Sequence, residues 1–349
     1  MPIMRVWDEL YIEQAQQRKS IDKNRICNFG IKALDDCLIG ILKNDLVVIG
    51  ADSGVGKSDI CLNMALHNAR QGKTVALFFI EGGAEEAIAR IKWKAIKDIY
   101  YSSGKNSIDL DYRKWRMGML ESDEMDVLEN EAFMSLMKDI GGRLHIYEFE
   151  DSFTVDCLIK SIGYFSSKKV NSSYLIEENF YDVDLIIIDH LQYFTLANPK
   201  NELTEMTQIL MKVKDITNFH KIPVVLVSHL RKKDKDRGLP GQEDFYGTGN
   251  IAKISSLAFT ISSCPGGDDY ANQIYPTFFR IVKSRTGIRS SFGILNYYDL
   301  KRGKYIDKYE LYNLAGDKPC STPIENSKLP KWAQKNIVEK GKKEWIAGN

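Results

Sequence analysis

An apolar run in this 349-residue chain passes directly into a glycine-rich segment and then into a helical pattern, an order that few folds accommodate. Leu46–Gly50 is continuously apolar, which is typical of a strand buried on both faces. Ala51–Ser58 follows with the sequence ADSGVGKS, and Asp59–Gln71 has the spacing of an amphipathic helix. A glycine-rich turn at a helix N-terminus presents backbone N–H groups to an anion. The segment therefore predicts a phosphate-binding loop.

Strand and helix patterns alternate through much of the remaining chain. Strands are predicted at 46–50, 74–80, 144–147, 185–188, 224–227, 258–262 and 277–283, with a hairpin at 292–298, and helices at 59–71, from 84 onward and at 204–220. Alternation of strands with helices is typical of a parallel sheet covered by helices. The predicted fold class is α/β, with a mostly parallel central sheet flanked by helices.

Composition narrows the class of protein but does not select a partner. The 48 basic and 47 acidic residues give a net charge of +1, which neither indicates nor excludes nucleic acid, because phosphate binding depends on local clusters. The six cysteines show no spacing typical of zinc sites or disulfide frameworks. No apolar run reaches the roughly 18–20 residues that cross a bilayer, and the first residues do not resemble a signal peptide. We expect an intracellular protein with no membrane partner.

The chemistry of the glycine-rich segment is that of a Walker A loop. Lys57 is placed to reach the β- and γ-phosphates of a nucleotide, and the Ser58 hydroxyl is placed to ligate Mg²⁺. Ala51 occupies the place of the motif's first glycine, so a strict pattern search would miss the loop. An ordinary glycine-rich turn with an exposed lysine is the alternative interpretation. The residues assigned to the nucleotide are Ser53, Gly54, Val55, Gly56, Lys57 and Ser58.

Three further side chains stand where predicted strands end. Asp189 closes the run 184–189, the arrangement of a Walker B strand, and is assigned to the metal together with Ser58. Glu81 follows the strand 74–80, where a carboxylate can orient and deprotonate an attacking water, and His229 follows 224–227, where it can hydrogen-bond the γ-phosphate. The alternatives are a turn-capping Asp189, a capping or solvated Glu81 and a structural His229.

Seven segments together resemble the RecA-like ATPase domain of DnaB-type replicative helicases, including the helicase part of phage primase-helicases. In chain order they are FGIKALDDCLIGI, ADSGVGKS, FFIEGGAEE, LIIIDHLQYF, PVVLVSHLRK, DFYGTGNI and VKSRTG. The resemblance covers about residues 28 to 312. It implies a RecA-like P-loop ATPase fold, with ATP and Mg²⁺ as cofactors, and hydrolysis of ATP by a DNA helicase with 5′ to 3′ polarity.

The resemblance also implies roles for individual residues. Lys57, Ser58 and Asp189 match the family's nucleotide and magnesium ligands, Glu81 its catalytic glutamate and His229 its γ-phosphate sensor. Lys283 and Arg285 match the family's basic pair, which reaches the γ-phosphate bound to a neighbouring subunit. Tyr297 matches a position that stacks on the nucleotide base. The alternatives are two exposed basic residues at a turn and a buried strand tyrosine.

The stretch after His229 is predicted to contact single-stranded DNA. In related helicases this region forms loops that face the central channel of a hexameric ring and bind the backbone of the strand. Sequence-neutral contacts to phosphates suit a motor that moves along a strand. The candidate residues are Arg231, Lys232, Lys233, Lys235, Arg237, Tyr246, Gly247 and Gly249. The family commonly has arginine before its Gly-x-Gly where this chain has Tyr246, an aromatic residue that can stack on a base. A solvated loop is the alternative interpretation.

The chain is predicted to contain a linker helix in residues 1–27, an ATPase domain at 28–312 with a helical insertion at about 101–180, and a tail at 313–349. The leading hypothesis is a ring-forming, ATP-dependent DNA helicase that translocates on single-stranded DNA during replication. The expected partners are single-stranded DNA, further copies in a hexamer, and a primase, loader or polymerase, in the cytoplasm of a bacterial or phage-infected cell. The alternative is a RecA/KaiC-like regulatory or assembly ATPase that acts on a protein partner without unwinding; a small-molecule P-loop kinase explains fewer features.

Overall fold

The structure is a computed structural model, and it describes residues 26–52, 54–105, 107–148, 152–166, 183–231, 238–246, 250–264, 269, 273–285, 292–334 and 337. Nearly all of the predicted N-terminal linker helix lies outside the described residues, because the description starts at residue 26. Residues 335, 336 and 338–349 of the predicted tail lie outside it as well. The structural statements below refer to the described part of the chain.

One ten-stranded sheet forms the centre of the described residues. Its strands are β1 (Leu46–Ala51), β2 (Val75–Phe79), β3 (Leu144–Tyr147), β4 (Leu185–Asp189), β5 (Val224–His229), β6 (Leu257–Ser263), β7 (Ile274–Ser284), β8 (Phe292–Asp299), β9 (Lys304–Ala315) and β10 (Lys318–Pro319). The spatial order is β10-β9-β8-β7-β6-β1-β5-β4-β2-β3. Strands β6, β1, β5, β4, β2 and β3 run parallel, while β7 to β10 extend the sheet with antiparallel pairs.

Helices cover both faces of the parallel part. They are α1 (Lys32–Leu38), α2 (Lys57–Arg70), α3 (Gly83–Ser102), α4 (Tyr112–Arg116), α5 (Asp123–Asp139), α6 (Val155–Ser166), α7 (Glu202–His220) and α8 (Asn250–Ile254). Alternate residues of β1 separate the two layers: Val47 and Ile49 belong to the cluster that contains α2, whereas Val48 belongs to the cluster that contains α7. Because every residue of β1 is buried, its continuous apolar run is the pattern that a central parallel strand requires.

The parallel arrangement gathers the carboxyl ends of four strands at one edge of the sheet. Ala51 lies opposite His229 across the β1–β5 pair, and Phe79 lies opposite Asp189 across the β2–β4 pair. In open α/β sheets, ligands bind at this edge. The α/β class, the predicted strands and the alternation of strands with helices are confirmed.

Two of the predicted chain segments make contacts with the main body of the structure. Within the stretch 101–180, β3 pairs with β2 and forms one edge of the sheet. At the other end, β9 runs across position 312, and the side chains of Leu329 and Ala333 are buried in the main core. The described residues after 312 are therefore packed on the domain, while the division of the whole chain into segments stays a prediction.

Candidate nucleotide site

The glycine-rich loop between β1 and α2 has the backbone conformation that its glycines allow. Gly54 and Gly56 have φ angles of 83° and 88°, in the left-handed region that side chains with a Cβ rarely adopt. A Cβ at Gly54 would meet no atom within 4 Å among the described residues, so the space beside this glycine is open. Helix α2 begins directly after Gly56, at Lys57, and Ser53 lies outside the described residues. A backbone of this conformation at a helix N-terminus is able to hold an anion.

Lys57 is buried at the base of this loop. Its ammonium group donates hydrogen bonds to the carbonyl oxygens of Asp52, at 2.9 Å, and of Ala51, at 3.5 Å. Burial lowers the pKa of Lys57, and the carboxylates of Asp189 and Glu81 partly offset this effect. A cation is therefore held directly beneath the loop, next to two acids.

Asp189 is buried at the end of β4. Within the described residues, neither of its carboxylate oxygens has a hydrogen-bond partner of acceptable geometry. The pKa of Asp189 is raised to about 6, mainly by burial and in part by Glu81, while the Ser58 hydroxyl and Lys57 act in the opposite direction. Because Mg²⁺ takes hard oxygen ligands, a carboxylate without a hydrogen-bond partner beside a serine hydroxyl fits this ion.

Glu81 lies beyond the end of β2, on the turn that leads to α3, with 46% of its side chain exposed. Its Oε2 atom is 3.5 Å from Nε2 of His190, the residue that follows Asp189. The ring of His190 also lies 4.2 Å from the ring of His229, in an edge-on arrangement. Glu81, Asp189 and His229, which the sequence predicts for the site, therefore meet around a residue that was not predicted.

Gln192 is the second residue that sequence reasoning missed. Its Oε1 accepts the backbone N–H of His229 at 3.2 Å, and its Nε2 donates to the hydroxyl of Ser228 at 3.1 Å. Gln192 thereby links the turn after β4 to the end of β5. Both His190 and Gln192 stand in the segment LIIIDHLQYF, so their place beside Asp189 is the signal that could have identified them.

A short pairing connects His229 to the segment predicted to contact DNA. The N–H of Tyr246 donates to the carbonyl of His229 at 2.9 Å, and the N–H of Arg231 donates to the carbonyl of Asp244 at 2.7 Å. Tyr246 and Arg231 are exposed, whereas Phe245 between these bonds is fully buried. The other candidates in this segment lie outside the described residues: Lys232, Lys233, Lys235, Arg237, Gly247 and Gly249.

Lys283 and Arg285 lie at the end of the sheet where β1 and β6 begin, away from the carboxyl ends of the parallel strands. The N–H of Arg285 donates to the carbonyl of Ser256, whose own N–H donates to Leu46 at the start of β1. The glycine-rich loop follows the other end of β1, and the five steps of ~3.3 Å from Leu46 to Ala51 separate the two ends of this strand by about 17 Å. Burial, together with the charge of Arg285, lowers the pKa of Lys283. The structure therefore does not bring this pair to the chain's own glycine-rich loop.

Tyr297 and Tyr298 are successive residues of β8 in different surroundings. Tyr297 packs in a cluster with Leu239, and its hydroxyl donates to a carboxylate oxygen of Glu310 at 2.6 Å. These contacts are those of a packed strand tyrosine, and the stacking role on a base stays a prediction. Tyr298 instead donates to Oδ2 of Asp59 at 2.6 Å, in the first turn of α2.

Lys94 supports the first turn of α2 from a neighbouring helix. It lies on α3, is buried, and forms an ion pair with Asp59, the residue that follows Ser58. The same ammonium donates to the carbonyl of Gly303, in the turn between β8 and β9. The start of α2 is thus held by α3 and by the antiparallel part of the sheet.

The open glycine loop, the buried lysine beneath it and the buried aspartate at the end of β4 define a P-loop nucleotide-binding protein. The chain belongs to the DnaB-like helicase C terminal domain family, whose model matches residues 27–294. The family resemblance and the RecA-like fold class predicted from the sequence are confirmed.

Individual relatives agree with the family. A probable replicative DNA helicase of Trieres chinensis is 23% identical over 246 residues, which cover 66% of this chain and 46% of the relative. A probable plasmid replicative DNA helicase of Chlamydia trachomatis is 25% identical over 237 residues, or 67% of this chain and 46% of the relative. The chain therefore spans about half the length of the curated relatives it matches.

Among solved structures, the ATPase domain of G40P superposes with a TM-score of 0.67 at 16% identity, covering 87% of this chain and 99% of that chain. At this identity the likeness shows the fold alone. Within the described residues, no helix has both the length and the apolar character needed to cross a bilayer.

Proposed function

We propose that this chain is the motor of a ring-forming, ATP-dependent DNA helicase that moves along single-stranded DNA during replication. The observation that carries the proposal is the meeting of Lys57, Asp189, Glu81 and His229 at one edge of the sheet, from which the predicted DNA-contacting segment departs. The family match and the names of the relatives support the same activity. They do not favour a regulatory ATPase.

The residues of the site divide the chemistry of hydrolysis between them. Ser58 and Asp189 would hold Mg²⁺, which neutralises charge on the β- and γ-phosphates when bound. Lys57 exchanges its loop carbonyls for phosphate oxygens. Glu81 accepts a proton from the attacking water, and His229 donates a hydrogen bond to the γ-phosphate. Burial and the charge of Lys57 lower the pKa of His229, so the imidazole is neutral and donates through one ring nitrogen.

Coupling between the nucleotide and DNA follows from the connection at His229. Arg231 and Tyr246 lie within a residue or two of its backbone bond, so a displacement of His229 is transmitted to both side chains. Arginine binds phosphate through charge, and tyrosine stacks on any base, so neither contact selects a sequence. The remaining proposed DNA contacts are Lys232, Lys233, Lys235, Arg237, Gly247 and Gly249.

A ring is proposed because Lys283 and Arg285 lie about 17 Å along β1 from their own glycine loop. In a second copy stacked edge to edge, the same pair would approach that copy's γ-phosphate. A cation supplied in trans is worth about 10³–10⁵ in the rate of phosphoryl transfer. The hexameric ring, 5′ to 3′ polarity, base stacking by Tyr297, cooperation with a primase, loader or polymerase, and a place in a bacterial or phage-infected cell belong to the same proposal.

The test is strand separation on a forked duplex, with ATP turnover measured in the same samples with and without single-stranded DNA. We expect unwinding and DNA-stimulated turnover, and we expect Lys57→Ala to lose both. Turnover that ignores DNA, together with no unwinding, would refute the helicase and support an ATPase directed at a protein partner.

A further inference from the structure

The catalytic carboxylate proposed above has little to hold it in place. Glu81 lies on a turn rather than on a strand or helix, and nearly half of its side chain is exposed. Within the described residues, the contact with His190 is the polar side-chain contact that the carboxylate makes. A general base needs a fixed position, because a displacement of 1 Å can cost about 10²-fold in rate. A partner that orients Glu81 is therefore required.

We propose that His190 is a positioning residue for Glu81: its buried imidazole donates Nε2–H to the carboxylate and aims it at the attacking water. This proposal rests on the proposed ATP hydrolysis. The 3.5 Å separation of Nε2 and Oε2 is longer than a normal hydrogen bond, and contacts of this kind can shorten when a substrate binds.

The ring of His190 is well placed to act as a rigid support. Its side chain is 4% exposed, and it contacts the rings of Tyr193, at 4.6 Å, and His229, at 4.2 Å. These contacts fix the plane of the imidazole on two sides. The half-exposed Glu81 thus faces a group whose own freedom is removed by packing.

The tautomer follows from the partners. A carboxylate only accepts hydrogen bonds, so the nitrogen that faces Glu81 must carry the proton. The other nitrogen, Nδ1, is buried with no hydrogen-bond partner among the described residues, and protonation there would leave a buried donor unpaired. A neutral ring orients Glu81 without forming a strong ion pair that would weaken it as a base.

The same ring connects the base to the proposed γ-phosphate sensor. His190 lies between Glu81 and His229, and Gln192, two residues further along, holds the backbone of His229. Glu81 and His229 therefore contact the same ring, so the distance between them depends on the position of the turn after β4.

The test compares three substitutions that place different groups where the ring now lies. Glutamine carries an N–H donor at the reach of Nε2, asparagine carries one at the reach of Nδ1, and leucine carries none. We expect His190→Leu and His190→Asn to lower kcat for ATP by about 10- to 100-fold, with KM within about threefold, and His190→Gln to restore most of kcat. A positioning role changes kcat rather than KM, because the residue acts on Glu81 and not on the bound ATP.

His67→Leu is the matched control, since it makes the same change in the last turn of α2, about 15 Å from Lys57. We expect wild-type kcat for it, and thermal melts of all four variants separate misfolding from lost positioning. A second arm places His190→Leu on a Glu81→Gln background, where we expect no further loss of kcat.

Wild-type kcat in His190→Leu, or the same large loss in all three substitutions with unchanged melts, would overturn the positioning role. An additive loss on the Glu81→Gln background would overturn it as well. If the unaltered protein and Lys57→Ala turn over ATP equally, the proposed function itself fails, which is a different result from any of these.

Discussion

Replacing Asp189 with asparagine is expected to stabilise the metal-free protein above neutral pH while it removes a proposed ligand for Mg²⁺. The reason is that the carboxylate is fully buried, with no hydrogen-bond partner among the described residues. Folding must take its charge out of water, and burial accordingly raises its pKa to about 6. Asparagine has nearly the same shape and carries no charge to desolvate.

The magnitude follows from the pKa values of the two states. An unfolded aspartate titrates near 3.8, so the difference of about 2 corresponds to about 3 kcal/mol at ~1.4 kcal/mol for each step of one in pKa. Because the folded pKa is the higher one, this contribution to stability is present below about pH 4 and is lost as the pH rises through about 6. The free energy of unfolding of the wild-type protein therefore falls by up to about 3 kcal/mol as the pH rises from about 4 past 6, relative to that of the asparagine variant.

Urea unfolding of both proteins in EDTA, at several values between about pH 4 and pH 8, measures this difference in slope. The comparison of slopes also cancels the penalty of a buried amide, which is the same at every pH. With Mg²⁺ and a nucleotide analogue added, the order should reverse, because binding then stabilises the wild type alone. Parallel pH profiles of the two proteins would refute the interpretation of Asp189 as a desolvated, unpaired ligand.

Two further predictions follow from contacts away from this carboxylate. Gly238→Ala should lower the free energy of unfolding by about 1–3 kcal/mol in urea titrations, because its Cβ would lie 2.1 Å from the carbonyl oxygen of Asp317. The control Gly142→Ala should be nearly neutral, because a Cβ there would meet no atom within 4 Å. Equal effects of the two substitutions would contradict the contact at Gly238. Arg285→Ala should leave the binding of a fluorescent ATP analogue intact while turnover falls by about 10³-fold, and weakened binding with normal turnover at saturation would contradict its role.

The nucleotide loop is predictable from the sequence because all of its parts are local. The strand, the turn and the helix stand within one continuous stretch, and Gly54 and Gly56 have the conformation that the motif requires. The end of β4 is predictable for a related reason, since a fully apolar run that stops at Asp189 is typical of a central strand whose carboxyl end faces a ligand. Neither feature depends on which distant segment lies alongside it.

The supporting contacts depend on tertiary neighbours and are therefore absent from sequence patterns. His190 acquires its place only because β4 lies between β2 and β5, which brings Glu81 to one side and His229 to the other. The bond from Tyr298 to Asp59 joins residues 239 positions apart. No periodicity links such pairs.

Strand β9 escaped prediction because its polar face dominates its composition. Lys304, Lys308 and Glu310 are exposed or half-buried, whereas Tyr305, Tyr309 and Leu311 are buried. Alternation of this kind is typical of a half-buried strand. Here charged residues on the exposed face obscured it, and the boundary predicted at 312 fell inside the strand.

The central claim is that one copy of the chain completes the nucleotide site of another. Mixing Arg285→Ala with Lys57→Ala tests it most directly, because each variant alone lacks one half of every site, whereas a mixed assembly pairs an intact loop with an intact arginine. ATP turnover that rises well above either variant alone is the expected result. Turnover that stays at the level of the separate variants at all mixing ratios, with mixed assemblies verified by light scattering or cross-linking, would contradict the claim.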